Sequence, residues 1–171
     1  RAMQADSGKV LHIGDFIEAG GVVLALRGQR RDDILQELIE HIPAIKSRPA
    51  DQARLLEALK EREELCSTGV GEGIAIPHAR NALVGLVDEP VIVFGRKPEG
   101  VPFGCVDGSL VRLFFLVVAP NVTAHLRTLA RLSRLLRNPK VRQGLLTAES
   151  VSRVISLLRV TEIELDALPS N

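Results

Sequence analysis

The 171-residue chain has no tryptophan, no tyrosine and only five phenylalanines, so its core must be mainly aliphatic. Cysteine is nearly absent too. Cys66 and Cys105 stand far apart in sequence, which excludes a disulfide framework or a cysteine-rich zinc site and leaves reduced core thiols. No charge sign dominates: 22 Lys and Arg against 21 Asp and Glu leave a net charge of +1. A dedicated nucleic-acid surface normally shows a large basic excess, so no nucleic-acid partner is expected. No run is long and apolar enough to span a bilayer, and the first residues lack the apolar core of a signal peptide. Membrane insertion is therefore not expected, and a cytoplasmic location is.

What remains is an ordinary globular composition, 46% hydrophobic and 25% charged, at a length suited to one domain. Short β-rich runs alternate with stretches of helical periodicity. Strands are expected at residues 22–26, 91–96 and 110–118, the last apolar enough to be buried on both faces. Residues 12–17 read as an entry segment, 97–100 as a turn, 101–103 as a short edge segment and 79–88 as a loop. Helices are expected at 30–42, with Ile34, Leu35, Leu38, Ile39 and Ile42 as its stripe, and at 50–62, with Leu55, Leu56 and Leu59 inward. A third covers 124–137, burying Leu126, Leu129, Leu132, Ser133 and Leu136 with four arginines toward solvent. Short helices at 140–146 and 149–159 and a loosely held tail at 161–171 complete the chain. The pattern is that of an α/β layered domain.

One stretch stands apart: Ser67-Thr68-Gly69-Val70-Gly71-Glu72-Gly73-Ile74-Ala75-Ile76-Pro77-His78. Alternate glycines leave backbone N–H groups bare enough to close on an anion. Glycines at this spacing also make ordinary turns and bulges. Pro77 restricts itself and Ile76, so His78 is expected at a defined place near a strand end. A neutral imidazole is a nucleophile near pH 7. The run is no P-loop, because no Gly-Lys-Ser/Thr follows, and no dinucleotide fingerprint, because Pro-His stands where a helix should begin. From the residues alone His78 reads as either structural or functional. Glu61-Arg62-Glu63-Glu64 reads as a solvated helix end. His125 reads as a polar residue near a helix cap.

Arg62-Glu63 together with residues 67–78 resembles the phosphorylation-site signature of fructose/mannitol-type enzyme IIA domains of the phosphoenolpyruvate-dependent phosphotransferase system, a group that includes the nitrogen-regulatory branch. The likeness continues through Gly100-Val101-Pro102-Phe103, Asp107, residues 111–116, Pro120 and His125-Leu126. It covers residues 10–160, leaving 1–9 and 161–171 as tails. The resemblance implies a mixed central sheet with helices on both sides and no cofactor or metal. It implies that His78 accepts a phosphoryl group at Nε2 from an HPr-like phosphohistidine protein. It also places Arg62 and His125 beside that histidine, with Ser67, Thr68, Gly69, Gly71, Glu72 and Gly73 as supporting loop residues. The layout is nearest the nitrogen-type branch, in which the onward partners are regulatory targets; the alternative is a sugar-specific IIA that passes phosphate to a IIB component in sugar uptake. A metal hydrolase built on His78 and His125 would need ligands the sequence does not supply.

Overall fold

The computed structural model describes residues 12–83 and 85–168. The elements run α1 (Ile13–Gly20), β1 (Gly21–Val23), α2 (Arg31–Ile39), a 3₁₀ turn (Pro43–Ile45), α3 (Pro49–Leu65), β2 (Gly69–Gly71), β3 (Ile74–Ala75), β4 (Val91–Val101), β5 (Val111–Val118), α4 (Val122–Leu136), α5 (Pro139–Thr147) and α6 (Val151–Ala167). The strands form one five-stranded sheet in the order β1-β4-β5-β3-β2. It is mixed: β1 runs parallel to β4, β3 parallel to β5, and the β4–β5 and β2–β3 pairs are antiparallel.

Alternation along β5 explains the layers. Phe114 and Leu116 point to one face, where Ile34, Leu35, Leu38 and Ile39 of α2 and Leu55 and Leu59 of α3 cover them. Leu113, Phe115 and Val117 point to the other, against Ile13 and Ile17 of α1, Leu132 and Leu136 of α4, Val141 and Leu145 of α5, and Val154 and Leu158 of α6. A strand buried on both faces needs a continuous apolar run, and β5 supplies one. The expected α/β sandwich is the observed fold.

Several boundaries differ from the sequence reading. Residues 12–17 open a helix rather than an irregular entry. The N-terminus of α1 has no local side-chain cap. Instead the buried Glu162 carboxylate accepts from the Ile13 and Gly14 N–H groups at 2.8 and 2.9 Å. Such a carboxylate satisfies orphan donors and suits the positive end of the helix. Arg131 closes the arrangement, with Nε donating to Glu162 at 3.1 Å and Nη2 to Asp166 at 2.8 Å. Residues 161–167 are thus the last turns of α6 and not a loose tail. The expected tails at 1–9 and 169–171 lie outside the described residues.

On α4 the buried set includes Leu135 in place of Ser133, while Leu126 is 60% exposed. β1 is shorter than expected, because the Leu24 carbonyl leaves the ladder to accept from Arg96 Nε at 3.2 Å. The expected turn at 97–100 is instead part of β4. Its pairing with β5 shifts between Arg96 and Val101, with Gly100 at φ +80°. Pro98 and Gly100 therefore mark a bulge, where a missing N–H and a positive φ are both tolerated.

Candidate active site

His78 is placed by the backbone on either side of it. β3 ends at Ala75, but the chain stays extended: Ile76 N–H donates to the Thr68 carbonyl at 3.1 Å and Val117 N–H donates to Pro77 at 2.9 Å. His78 then pairs with Val117 in parallel register. The expectation of a histidine held at a strand end is met, with β5 as the rail.

The imidazole Nδ1 lies 2.7 Å from the Ile76 carbonyl oxygen. A carbonyl only accepts, so Nδ1 carries the proton and Nε2 keeps its lone pair. The ring of His125, in the first turn of α4, lies beside it, with centroids 5.5 Å apart and planes tilted by 58°. Asn121 caps that helix by accepting from Ala124 N–H at 2.9 Å, which fixes where His125 enters. Burial lowers the pKa of both histidines below the ordinary value of 6.5. For His78 the Ile76 bond opposes this, while the Arg62 and His125 charges reinforce it. Both rings are therefore neutral near pH 7, as a nitrogen nucleophile requires.

Arg62 sits in the last turn of α3, and its Nη1 donates to the Cys66 carbonyl at 2.6 Å. The Arg62 charge acts directly on His78, whose pKa it helps to lower. Arg62 is accordingly a fixed positive charge at the edge of the histidine site. Three of the residues named from the sequence thus converge: His78, His125 and Arg62.

The glycine stretch divides into two parts. Ser67, Thr68 and Gly69 belong to the His78 end. Ser67 Oγ donates to the Phe103 carbonyl at 2.8 Å and accepts from Gly69 N–H at 3.0 Å. Gly69 has no room for a side chain, since an added Cβ would meet Cys105 Sγ. Gly71 ends β2, and Glu72 and Gly73 form the turn into β3, all three with positive φ (89°, 57° and 75°). Gly73 accepts from Leu113 N–H, four residues along β5 from Val117, so this turn lies roughly 13 Å from His78 along the sheet. The idea that N–H groups of Gly71 and Gly73 cradle an anion at His78 is corrected by this spacing. Their glycine is required by the hairpin.

Glu63 belongs to the signature, but the sequence assigns it no role and the stretch 61–64 reads as a solvated helix end. In the structure it is 5% exposed, and its carboxylate accepts from Thr68 N–H at 2.9 Å and from Thr68 Oγ1 at 2.5 Å. Burial raises its pKa, against the lowering effect of those two bonds and of Arg62 and Arg31. Two signals point to Glu63: its place in the Arg62-Glu63 part of the signature, and Ser67-Thr68 a few residues on, whose hydroxyls and N–H groups can bond local partners. Among the described residues no three His, Cys, Asp or Glu side chains converge as a metal-ligand set, and no helix is long and apolar enough to cross a membrane.

Comparison with known proteins bears directly on this site. The sequence model described as "Phosphoenolpyruvate-dependent sugar phosphotransferase system, EIIA 2" matches residues 15–160. The chain is 33% identical over 150 residues to the fructose-specific EIIABC component of Bacillus subtilis, covering 86% of this chain but 23% of that protein. It is 30% identical over 148 residues to the nitrogen regulatory protein of Bradyrhizobium diazoefficiens, covering 85% of this chain and 94% of the relative. Among solved structures, the nitrogen regulatory protein IIA-Ntr of Neisseria meningitidis superposes with a TM-score of 0.72 at 32% identity, covering 85% and 98% of the two chains. The mannitol IIA of Escherichia coli, solved in complex with phosphorylated IIB, superposes with a TM-score of 0.67 at 25% identity, covering 87% and 96%. The fold and the matched span agree: this chain belongs to the EIIA 2 family of the phosphoenolpyruvate-dependent sugar phosphotransferase system.

Proposed function

We propose that this protein is a phosphocarrier that accepts a phosphoryl group on Nε2 of His78 from the phosphohistidine of an HPr-like protein. The observation that carries this reading is the 2.7 Å contact between His78 Nδ1 and the Ile76 carbonyl, which leaves Nε2 as the nucleophilic nitrogen. In the reaction the Nε2 lone pair forms the new P–N bond as the donor's P–N bond breaks, and the donor imidazole leaves with its electron pair. His78 becomes cationic in the process, and the Ile76 carbonyl stabilises that charge through Nδ1–H. Transfer of this kind depends on alignment and on neutralising the equatorial oxygens. Arg62 supplies the fixed charge, and His125 supplies a neutral ring able to donate to the phosphoryl oxygens or to His78. Ser67, Thr68 and Gly69 hold the strand that carries the Arg62 anchor. The reaction needs no metal and no cofactor.

Within the family we assign the chain to the nitrogen-type regulatory branch, where charge added at His78 changes which proteins the surface binds. Support comes from the IIA-Ntr structure of Neisseria meningitidis, which superposes better than mannitol IIA and at higher identity. The second reading is a sugar-specific IIA that hands its phosphoryl group to a IIB partner. It is favoured by the 40% identity over 110 residues to the fructose-specific EIIA component of Haloferax volcanii. Either role places the protein in the cytoplasm. We place the family domain at residues 10–160, and α6 runs on past it to Ala167.

The test is a chase. The protein is phosphorylated with phosphoenolpyruvate, enzyme I and HPr, then mixed with fructose-type and mannitol-type IIB domains. Retention of the label supports the regulatory assignment, and rapid transfer to one IIB domain overturns it in favour of sugar uptake. Failure to acquire any label overturns both.

A further inference from the structure

Four residues separated in sequence are joined by one hydrogen-bond chain that ends at the reacting imidazole. The buried Glu63 carboxylate accepts twice from Thr68, through its N–H and its hydroxyl. The Thr68 carbonyl accepts from Ile76 N–H at 3.1 Å. The Ile76 carbonyl in turn accepts from His78 Nδ1–H at 2.7 Å. Glu63 also neighbours Arg62 in the last turn of α3, and Arg62 holds the Cys66 carbonyl. The end of α3 therefore grips the segment 66–68 at two points, and that segment sets the height of Ile76 against β5.

We propose that Glu63 is a positioning residue for phosphoryl transfer: through Thr68 and Ile76 it fixes the Nδ1–H tautomer and the orientation of His78. The inference rests on His78 being the phosphoryl acceptor, as set out above. A purely structural carboxylate would need only some partner for its charge. This one instead has both oxygens on a single residue, Thr68, and Thr68 is 4% exposed. The same residue's carbonyl starts the ladder into the site. The links pass through the Thr68 and Ile76 backbones, so what Glu63 transmits is position: holding Thr68 holds Ile76, and Ile76 holds the His78 ring. Release of Thr68 lets Ile76 shift, and a small misplacement of the nucleophile costs a large factor in rate.

The distinction lies in comparing Glu63→Gln with Glu63→Ala. In Glu63→Gln the carbonyl oxygen still accepts from Thr68 N–H and the amide donates to the Thr68 hydroxyl, so both links survive without the charge. Two readouts are taken: the ring ¹⁵N chemical shifts of His78 in the unphosphorylated protein, and the rate and KM of phosphoryl acceptance from HPr. For Glu63→Ala we expect a mixed tautomer and a fall in kcat of about ten- to a hundredfold with KM for the donor little changed. Glu63→Gln should stay within about threefold of the parent with the parent's tautomer. If Glu63→Ala does not fold, Thr68→Val replaces it, removing the hydroxyl but keeping the N–H, with Thr68→Ser as the rescuing variant. A folded Glu63→Ala or Thr68→Val with the parent's tautomer and rate overturns the proposal, as does an equal loss in Glu63→Gln. A parent that accepts no phosphoryl group overturns the carrier reading, while the tautomer still decides whether Glu63 positions His78.

Discussion

His78 and Ile76 are two residues apart, yet the carbonyl of one decides the chemistry of the other. At 2.7 Å the Ile76 oxygen holds the Nδ1 proton, and the nitrogen left bare is Nε2. Burial keeps the ring neutral, so a nucleophile is ready before any donor arrives.

The first consequence is a pH dependence. The pKa values of His78 and His125 are lowered in the folded protein by burial. The unfolded chain therefore binds more protons below about pH 6.5, and stability falls as the pH drops through that value toward the folded pKa values. Phosphoryl acceptance should fall less between pH 7.5 and 6.5 than it would for an exposed histidine, which is half protonated at about pH 6.5. Proton or ¹⁵N titration of the His78 ring checks this, with a midpoint below 6.5 expected.

Arg62 gives the second. Its guanidinium bonds the Cys66 carbonyl and lowers the His78 pKa through its charge. Arg62→Ala should slow phosphoryl acceptance by about 10²-fold, the scale of losing one charged transition-state contact. It should also raise the His78 midpoint. Arg62→Lys should recover the pKa effect but little of the rate, since an ammonium cannot hold the carbonyl and a phosphoryl oxygen in one planar fork. Single-turnover transfer and His78 titration on both variants separate the two effects.

A third prediction concerns stability alone. Glu162 holds the start of α1 and receives Arg131. Glu162→Ala leaves two buried N–H groups unpaired and Arg131 with Asp166 only, so about 3–5 kcal/mol of unfolding free energy should be lost. Removing residues 161–171 should cost at least as much. The denaturation midpoint measures both, and Glu162→Gln should fall between parent and Ala.

Features set by local signals were legible in the sequence. β5 announced itself as a continuous apolar run, the buried stripes of α2 and α3 by their period, and the strand end at His78 by Pro77. Features set by a partner far along the chain were not legible. Glu63 looked solvated because its tether, Thr68, binds only once the helix has turned into β2. Glu162 looked like part of a tail because the donors it satisfies belong to Ile13 and Gly14. Gly71 and Gly73 were visible as glycines needing unusual backbone. Whether that backbone made an anion cradle or a hairpin depended on a register that no local pattern encodes. His125 could be tied to His78 only through family resemblance, since the loop, β4 and β5 lie between them in the chain.

Intact mass decides whether His78 is the phosphoryl acceptor. The protein and its His78→Ala variant are incubated with phosphoenolpyruvate, enzyme I and HPr. One acid-labile phosphoryl group is expected on the parent and none on the variant. A label that persists in His78→Ala, or a folded parent that takes up none from its cognate donors, would contradict that role for His78.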